Sequence, residues 1–381
     1  MNDRFIYCDH NATTPVHPAI SEHYSEILAR FGNASSVYQL GRQAKESIEL
    51  ARQTVAEFIG ALPDQLIFTS SGSESNNHVL MQALYMLQDT KEPVHILISA
   101  IEHSSVKQVA KYVHSLGVDY DEIPVTPTGE IDITAYESLF KPHTKLVSVV
   151  LANNEIGTIQ DINCLAGIAR EKGALFHSDA VQALGKLDIN VQELDVDFMS
   201  FSAHKINAPK GVGALFMKDE LMVKPLLHGG FHERGLRAST ENVPGIMAFA
   251  QAVKLFNIQH YQAHTEHLIS TLKASFLNLN NVIINSHQAS KALTNTLNVS
   301  FRGCSGYALV MNCDLEGIAV STGSACSVGS IEPSHVLEAI GVSLEDNKSS
   351  VRFSVGMSNT HEEMDVVVNR ISAMVDRLRA C

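Results

Sequence analysis

Long apolar segments are absent from this 381-residue sequence, in which no stretch approaches the roughly 20 apolar residues that a membrane-spanning helix needs. The first residues, MNDRFIYCDHNATTP, also lack the apolar core of a secretory signal peptide. These two absences predict a cytoplasmic protein that has no membrane as a partner.

Basic side chains are scarce as well. Lysine and arginine total 28 against 41 aspartate and glutamate residues, so the formal net charge is −13. A chain this acidic is poorly suited to bind nucleic-acid phosphates or anionic lipids. We therefore expect no direct nucleic-acid partner, and small-molecule chemistry becomes the first hypothesis.

The sequence has no C-x-x-C pair and no dense cysteine framework of the kind that staples small secreted domains. Reduced thiols are therefore expected, which leaves room for a reactive one. The six cysteines are scattered along the chain at Cys8, Cys164, Cys304, Cys313, Cys326 and Cys381.

What the chain does contain is enough apolar material for a large core. Hydrophobic residues make up 45% of it and the mean hydropathy is +0.03, which suits a globular protein of two lobes. Short apolar runs alternate with helical patterns, as expected for a mostly parallel sheet flanked by helices. The run LVSVVLA is apolar nearly throughout, which predicts a strand that is covered on both faces. Strands are predicted at residues 66–69, 94–99, 146–152, 174–177, 196–201 and 212–217.

The pattern changes after Asn242. Two long amphipathic stretches, residues 243–256 and 260–279, predict helices, and strands are expected at 295–301 and 351–355. This succession predicts a second, smaller α+β lobe beside a large doubly wound α/β lobe.

The helical pattern of residues 36–58 is expected to pack with the smaller lobe. The predicted large lobe therefore consists of residues 1–15 and 60–241, and the smaller lobe of residues 16–59 and 242–381.

The segment FTSSGSESNN takes a predicted strand through Gly72 and Ser73 into a helix. Small residues at such a turn expose backbone N–H groups, which together with the helix dipole and the Ser73 hydroxyl suit a phosphate dianion. A plain serine helix cap is the simpler interpretation of this motif alone.

The segment FHSDAVQALGK ends a strand at Asp179 and places Gln182 just beyond it. A carboxylate at the carboxyl end of a central parallel strand faces the crevice where such sheets bind ligands. There it is able to pair with a protonated pyridine nitrogen. An aspartate helix cap is an equally good interpretation of the isolated motif.

The segment MSFSAHKINAPKGVG ends a strand at Ser202, His204 and Lys205. A lysine at a strand end is well placed for covalent catalysis, with its neighbours binding a phosphate. A solvated loop lysine is the ordinary alternative, and Lys210 is a rival candidate. Lys205 is preferred because it directly follows the strand.

His103 in EHSSV and Asn154 in NNEIG both follow predicted strands, so both project toward the same crevice. An imidazole is able to stack on a pyridine ring, and an amide is able to bond its phenolic oxygen. A surface histidine and a turn asparagine are the more common roles of such residues taken separately.

Cys326 lies among Ser, Thr and Gly in VSTGSACSVGSIEPSHV, with no apolar neighbour large enough to bury it. Because cysteine usually behaves as a small core residue, its place in a polar loop makes it a candidate reactive thiol. The other five cysteines adjoin helix starts, apolar runs or a chain terminus and have weaker cases.

Arg352 lies in the strand-like run VRFSVG, where a guanidinium is costly unless it meets an acid. A substrate carboxylate gripped by two parallel hydrogen bonds meets that need. A structural salt bridge is the competing interpretation.

Taken in order, these motifs resemble the cysteine desulfurases of the NifS/IscS type, which are fold type I, aminotransferase-like enzymes that use pyridoxal 5′-phosphate. The resemblance extends from about residue 7 to about residue 365. It rests on DHNATTPVHP, GNASSVYQLG, FTSSGSES, EHSSV, NNEIGTIQDI, FHSDAVQALGK, SFSAHKINAPKGVGALF, HERGLRASTEN, STGSACS and VRFSVGMSNT.

The resemblance implies a role for each candidate. Lys205 binds the cofactor covalently, His103 stacks on its ring, Asp179 meets the pyridine nitrogen and Gln182 the phenolic oxygen. The phosphate is implied to lie against Gly72, Ser73, Ser202 and His204, and Asn154 and Arg352 to grip the substrate carboxylate. Thr240 in RASTEN matches a threonine that the other subunit of a homodimer contributes to the cofactor site.

The implied reaction removes sulfur from L-cysteine, leaving L-alanine and a persulfide on Cys326. The amine of Lys205 moves the Cα proton, and the sulfur passes to an acceptor protein for iron–sulfur cluster assembly or thio-modification. The chain departs from the usual family pattern at His10, Ser73, Phe231 and Ser239, so the placement of Thr240 is a weaker expectation than that of Lys205.

Two other functions stay open at this point. One is a related lyase or transaminase that uses Lys205 but not Cys326, such as a selenocysteine lyase. The other is a catalytically idle scaffold that binds a sulfur acceptor, against which the joint presence of Lys205, Asp179, His103 and Cys326 argues.

Overall fold

The computed structural model describes residues 5–219, 223–286, 288–322 and 332–380. The strands are β1 (Ile6–Tyr7), β2 (Leu66–Thr69), β3 (His95–Ser99), β4 (Asp119–Ile123), β5 (Thr144–Ser148), β6 (Leu175–Asp179), β7 (Phe198–Ser202), β8 (Gly213–Met217), β9 (Val282–Ile284), β10 (Thr296–Phe301), β11 (Ile318–Ala319) and β12 (Ser350–Ser354). The α-helices are α1 (Pro18–Ser21), α2 (Tyr24–Ala29), α3 (Gln39–Phe58), α4 (Gly72–Thr90), α5 (Ser104–Ser115), α6 (Ile133–Ser138), α7 (Ile162–Glu171), α8 (Val191–Leu194), α9 (Val243–Leu255), α10 (Ile258–Leu277), α11 (Gly306–Leu315), α12 (His335–Ala339), α13 (Leu344–Lys348) and α14 (His361–Arg379).

Seven strands form the large sheet in the order β2-β8-β7-β6-β5-β3-β4. The pairs from β7 through β4 are parallel, whereas β8 runs antiparallel to both β2 and β7. The predicted α/β fold with a mostly parallel sheet is therefore confirmed. This topology brings the carboxyl ends of β3, β5, β6 and β7 to one edge of the sheet.

Strand β4 is the member of this sheet that the sequence pattern did not predict. Its residues DYDEI are mostly exposed or half-buried, and it pairs with β3 alone at the edge of the sheet. An edge strand needs no continuous apolar run, because one of its sides stays in water. The apolar run by which the other strands were predicted is therefore missing from β4.

A second core lies outside the large sheet. The antiparallel sheet β12-β10-β9 and the short parallel pair β1-β11 share one apolar cluster with α10, α11 and α14. Phe276, Phe301 and Phe353 are fully buried at its centre and contact one another.

The contacts of the N-terminal region differ from the predicted lobe assignment in two places. Helix α3 packs against α9, and the buried faces of both belong to the core cluster under the large sheet. Residues 1–15 were assigned to the large lobe, but Ile6 and Cys8 belong to the second core. Periodicity identifies the apolar face of a helix without identifying the surface that covers it, and a two-residue strand carries no periodic signal.

Across the part of the chain that the structure describes, no helix combines the length and the apolar content that a bilayer crossing requires.

Candidate active site

A cavity of about 770 Å³ opens at the carboxyl edge of the large sheet. One wall is formed by the residues that follow β3 and β5, the last residues of β6 and β7, and the N-terminus of helix α4, and Arg352 reaches the cavity from β12 of the antiparallel sheet. Ten of the predicted site residues line this cavity: Gly72, Ser73, His103, Asn154, Asp179, Gln182, Ser202, His204, Lys205 and Arg352.

Two predicted site residues are not among that lining. Thr240 is exposed and lies outside the cavity of its own chain. Cys326 lies outside the described residues, so the prediction that it receives sulfur rests on its sequence motif.

Lys205 occupies the turn that directly follows β7. Its Nζ donates to the backbone carbonyls of Asn11 and Ala12 at 2.5 and 2.7 Å. Burial and the nearby Arg352 guanidinium lower the pKa of Lys205 to about 8, against the opposing pull of Asp9 and Asp179. A neutral amine is therefore accessible at this position near physiological pH.

Asp179 is the last residue of β6 and is 3% exposed. Its Oδ1 accepts the Val181 N–H at 2.9 Å and its Oδ2 accepts Asn76 Nδ2 at 2.7 Å. Two donors hold the carboxylate in place beside the cavity, as a partner for a cationic nitrogen requires. Asn76 was not predicted from the sequence, although it lies one helical turn after Gly72 and on the same face of α4.

The N-terminus of α4 forms the proposed phosphate-binding end of the cavity. Ser71 caps the helix by accepting the Glu74 N–H at 3.1 Å, which leaves Gly72 and Ser73 facing the cavity in the first turn. A Cβ at Gly72 would lie 2.4 Å from Cγ2 of Val181, so only glycine fits between the helix and the turn after β6. The dipole of this 19-residue helix favours an anion here.

His204 lies beside Lys205 in the turn after β7, and His103 follows β3 at the same edge of the sheet. Nδ1 of His204 is 3.0 Å from Thr13 Oγ1, and burial together with Lys205 and Lys210 lowers the pKa of His204 to about 4. His103 caps α5, and its Nδ1 accepts the Ser105 N–H at 3.2 Å. That acceptor role assigns the proton of the neutral His103 ring to Nε2 and fixes the ring orientation.

Arg352 forms the structural salt bridge that was the competing interpretation, but the pair does not use the whole guanidinium. Its Nη2 donates to Asp9 Oδ1 at 2.7 Å and its Nη1 to the Asn154 carbonyl at 3.3 Å. Its Nε is buried and has no partner among the described residues. A buried donor without an acceptor is costly, and a substrate carboxylate would satisfy it.

Two buried glutamates beside these residues were missed from the sequence. Burial raises the pKa of Glu102 to about 8 and that of Glu155 to about 7. Glu155 accepts Ser334 Oγ at 2.5 Å, whereas Oε2 of Glu102 has no partner within the described ranges. Their only signal was adjacency to His103 and Asn154 in the two motifs.

The donor set of the cavity fits pyridoxal phosphate. Among the residues that the structure describes, no group of His, Cys, Asp and Glu is arranged to hold a metal. The helix N-terminus suits a phosphate, the Asp179 carboxylate suits a pyridinium nitrogen, and the Lys205 amine suits an aldehyde.

Residues 6–367 match the aminotransferase class-V family. The chain belongs to this family. Its members use pyridoxal 5′-phosphate, which confirms the predicted cofactor.

Within this family, the chain is similar to curated cysteine desulfurases. The chain is 39% identical to cysteine desulfurase IscS of Dictyoglomus turgidum, over 99% of this chain and 96% of that one. It is 37% identical to cysteine desulfurase IscS of Methanosarcina thermophila, over 99% of this chain and 93% of that one.

Solved structures agree with these relatives. A NifS-like protein superposes with a TM-score of 0.91 at 35% identity, covering 98% of this chain and 100% of that chain. A NifS-like protein from Rickettsia africae gives a TM-score of 0.88 at 33% identity, with the same coverage. The resemblance to the NifS/IscS type is therefore confirmed.

Proposed function

We propose that this protein is a pyridoxal-phosphate-dependent cysteine desulfurase that releases L-alanine from L-cysteine and carries the sulfur on Cys326. The full-length similarity to cysteine desulfurases supports the activity. The observation that supports the chemistry is that one cavity gathers Lys205, Asp179 and Arg352, the groups that this reaction requires for the amine, the ring nitrogen and the substrate carboxylate.

The cofactor would lie with its phosphate at the α4 N-terminus, against Gly72, Ser73, Ser202 and His204. Asp179 would meet its ring nitrogen, Gln182 its phenolic oxygen, and His103 would cover the ring. When bound, pyridoxal phosphate withdraws electrons from the Cα of an attached amino acid.

Lys205 is the group that moves the Cα proton. Its lowered pKa of about 8 allows the amine to take a proton and to return one within the same pH range. The carbonyls of Asn11 and Ala12 hold Nζ at a defined position in the meantime.

Arg352 binds and orients the substrate. Its Asp9 partner fixes the plane of the guanidinium, and Nε, which has no partner among the described residues, supplies a donor for the α-carboxylate of L-cysteine. This arrangement favours amino acids that carry a free carboxylate.

Cys326 then takes the sulfur. Its thiolate attacks the substrate sulfur, a new S–S bond forms as the substrate Cβ–S bond breaks, and the carbon skeleton gains a proton and leaves as alanine. The persulfide passes to an acceptor protein, such as an iron–sulfur scaffold or a thio-modification enzyme.

A homodimer in the cytoplasm completes the proposal. Thr240 lies exposed and away from the cavity of its own chain, which suits a residue that serves the site of a partner subunit. Phe231, in the same loop region, is 86% exposed, as expected of an apolar side chain that a second subunit covers.

The test compares Cys326→Ala with Cys164→Ala, a matched change at an exposed cysteine of α7. We expect both variants to bind the cofactor and to change colour with L-cysteine, and only Cys326→Ala to lose sulfide production. Equal sulfide production by the two variants would contradict the role of Cys326. A wild-type protein that binds no cofactor would contradict the whole proposal.

A further inference from the structure

Lys186 is a buried lysine that the chemistry above does not use. It is 3% exposed, lies four residues after Gln182 and is not part of the cavity lining. Its Nζ donates to Gln182 Oε1 at 2.7 Å and to Asn11 Oδ1 at 3.1 Å. Both acceptors are neutral amides, so burying an ammonium here costs stability that an apolar side chain of similar length would not cost.

These contacts determine which way the Gln182 amide points. A lysine nitrogen donates, so the atom of Gln182 that faces Lys186 must be the oxygen. The opposite atom lies 2.8 Å from the Asn11 carbonyl, which only accepts, so that atom must be the nitrogen. The Asn11 carbonyl therefore requires this orientation and the Lys186 contact supports it, with one N–H of Gln182 on Asn11 and a second N–H left for the cavity.

Asn11 connects this network to Lys205. Its backbone carbonyl accepts from both Gln182 Nε2 and Lys205 Nζ, while its side-chain oxygen accepts from Lys186. Asn295 Nδ2 donates to the same side-chain oxygen at 3.0 Å. A change at Lys186 is thus two hydrogen bonds away from the amine at the centre of the reaction.

The electrostatics agree with this geometry. Burial lowers the pKa of Lys186 well below the ordinary value, and the cations of Lys205 and Arg352 lower it further. The amine carries at least two N–H donors in either protonation state, which match the two amide oxygens of Gln182 and Asn11.

We propose that Lys186 is a positioning residue that holds the Gln182 amide with Nε2 toward the cavity, where it donates to the phenolic oxygen of the cofactor. This inference rests on the proposed function, because it requires the cofactor ring to lie beside Gln182. Lys186 itself touches neither cofactor nor substrate.

The test replaces Lys186 with methionine, which keeps a long unbranched chain and removes the donors. Lys172→Met at an exposed site is the matched control. Two readouts are used besides activity: the affinity of the cofactor-free protein for pyridoxal phosphate, and the pH midpoint of the absorption change of the bound cofactor. We expect the affinity to fall about threefold to tenfold, because Gln182 is still present but its donor is no longer held toward the cofactor. The midpoint should rise, because an anionic oxygen loses a donor.

A double-mutant cycle with Gln182→Leu separates positioning from a general loss of structure. If Lys186 acts through Gln182, Lys186→Met moves the midpoint in the wild-type background and leaves it unchanged in the Gln182→Leu background. An equal shift in both backgrounds, or no shift in either, would overturn the inference.

Lys186→Leu tests the same point should the methionine variant fail to fold. Thermal unfolding of the cofactor-free forms reports on folding. If the wild-type protein binds the cofactor and Lys186→Met changes neither the affinity nor the pH midpoint, this inference alone is refuted. If the wild-type protein binds no cofactor, the proposed function is refuted.

Discussion

Lys205 offers the sharpest quantitative test of the site. Its pKa is lowered to about 8 from the ordinary 10.5. At pH 7.5 about one quarter of such amines are neutral, against about one in a thousand for an ordinary lysine, a difference of about two hundredfold. Only the neutral amine reacts with electrophiles, so the reactivity of Lys205 should rise with pH through a midpoint near 8.

The assay is isotope-coded reductive methylation of the cofactor-free protein across a pH series, with mass spectrometry of the Lys205 peptide. The same peptide in urea-unfolded protein supplies the ordinary midpoint as an internal control. Two variants test the causes. Arg352→Gln should raise the midpoint, because the Arg352 cation lowers the pKa, and Asp179→Asn should lower it, because the Asp179 carboxylate raises it.

A midpoint in the folded protein equal to that of the unfolded chain would refute the account of a buried amine among cations. A lower midpoint in Arg352→Gln would refute the assigned cause even if the wild-type value agreed.

Two further predictions concern buried charge. The pKa of Glu102 is raised from 4.5 to about 8, so the folded state binds its proton more tightly and wild-type stability falls as pH rises across that interval. Glu102→Gln cannot titrate, so its free energy of unfolding in urea should rise relative to that of the wild type over the same pH interval. A difference between the two proteins that does not change with pH would contradict this. Arg52 is bonded to the buried Glu233 at 2.6 Å, so Arg52→Met should cost about 3–5 kcal/mol of unfolding free energy. Arg302 pairs with Asp346 and is half-exposed, so Arg302→Met should cost less than about 1 kcal/mol of unfolding free energy. Similar losses in the two variants would contradict the claim that burial determines the cost.

Much of the fold could be predicted because most strands of the large sheet are covered on both faces. Strands β2, β3, β7 and β8 lie within two residues of their predicted limits, since continuous apolar runs mark them. The predicted run 146–152 extends beyond β5, which ends at Ser148, because residues after the strand are buried as well. Which surface covers α3 could not be predicted, because it depends on long-range packing.

The site residues also divide into those with a local sequence signal and those that depend on long-range contacts. Residues at strand ends, such as Asp179 and Lys205, could be placed together because parallel strands present their carboxyl ends at one edge. Asn11 and Lys186 could not, because they act through hydrogen bonds between segments far apart in the chain. A backbone carbonyl that receives two donors has no side-chain signature. That Nε of Arg352 lacks a partner within the described part of the chain is likewise known only from the contacts of the folded protein.

The most direct test of the central claim is a quantitative assay of the purified, cofactor-loaded protein with L-cysteine and a reductant. Alanine and sulfide are measured in the same tube, and the Cys326 peptide is examined for an added sulfur when the reductant is left out. We predict equal amounts of alanine and sulfide, and a persulfide on Cys326. Alanine without sulfide, or neither product from a protein that holds its cofactor, would contradict the assignment of cysteine desulfurase activity.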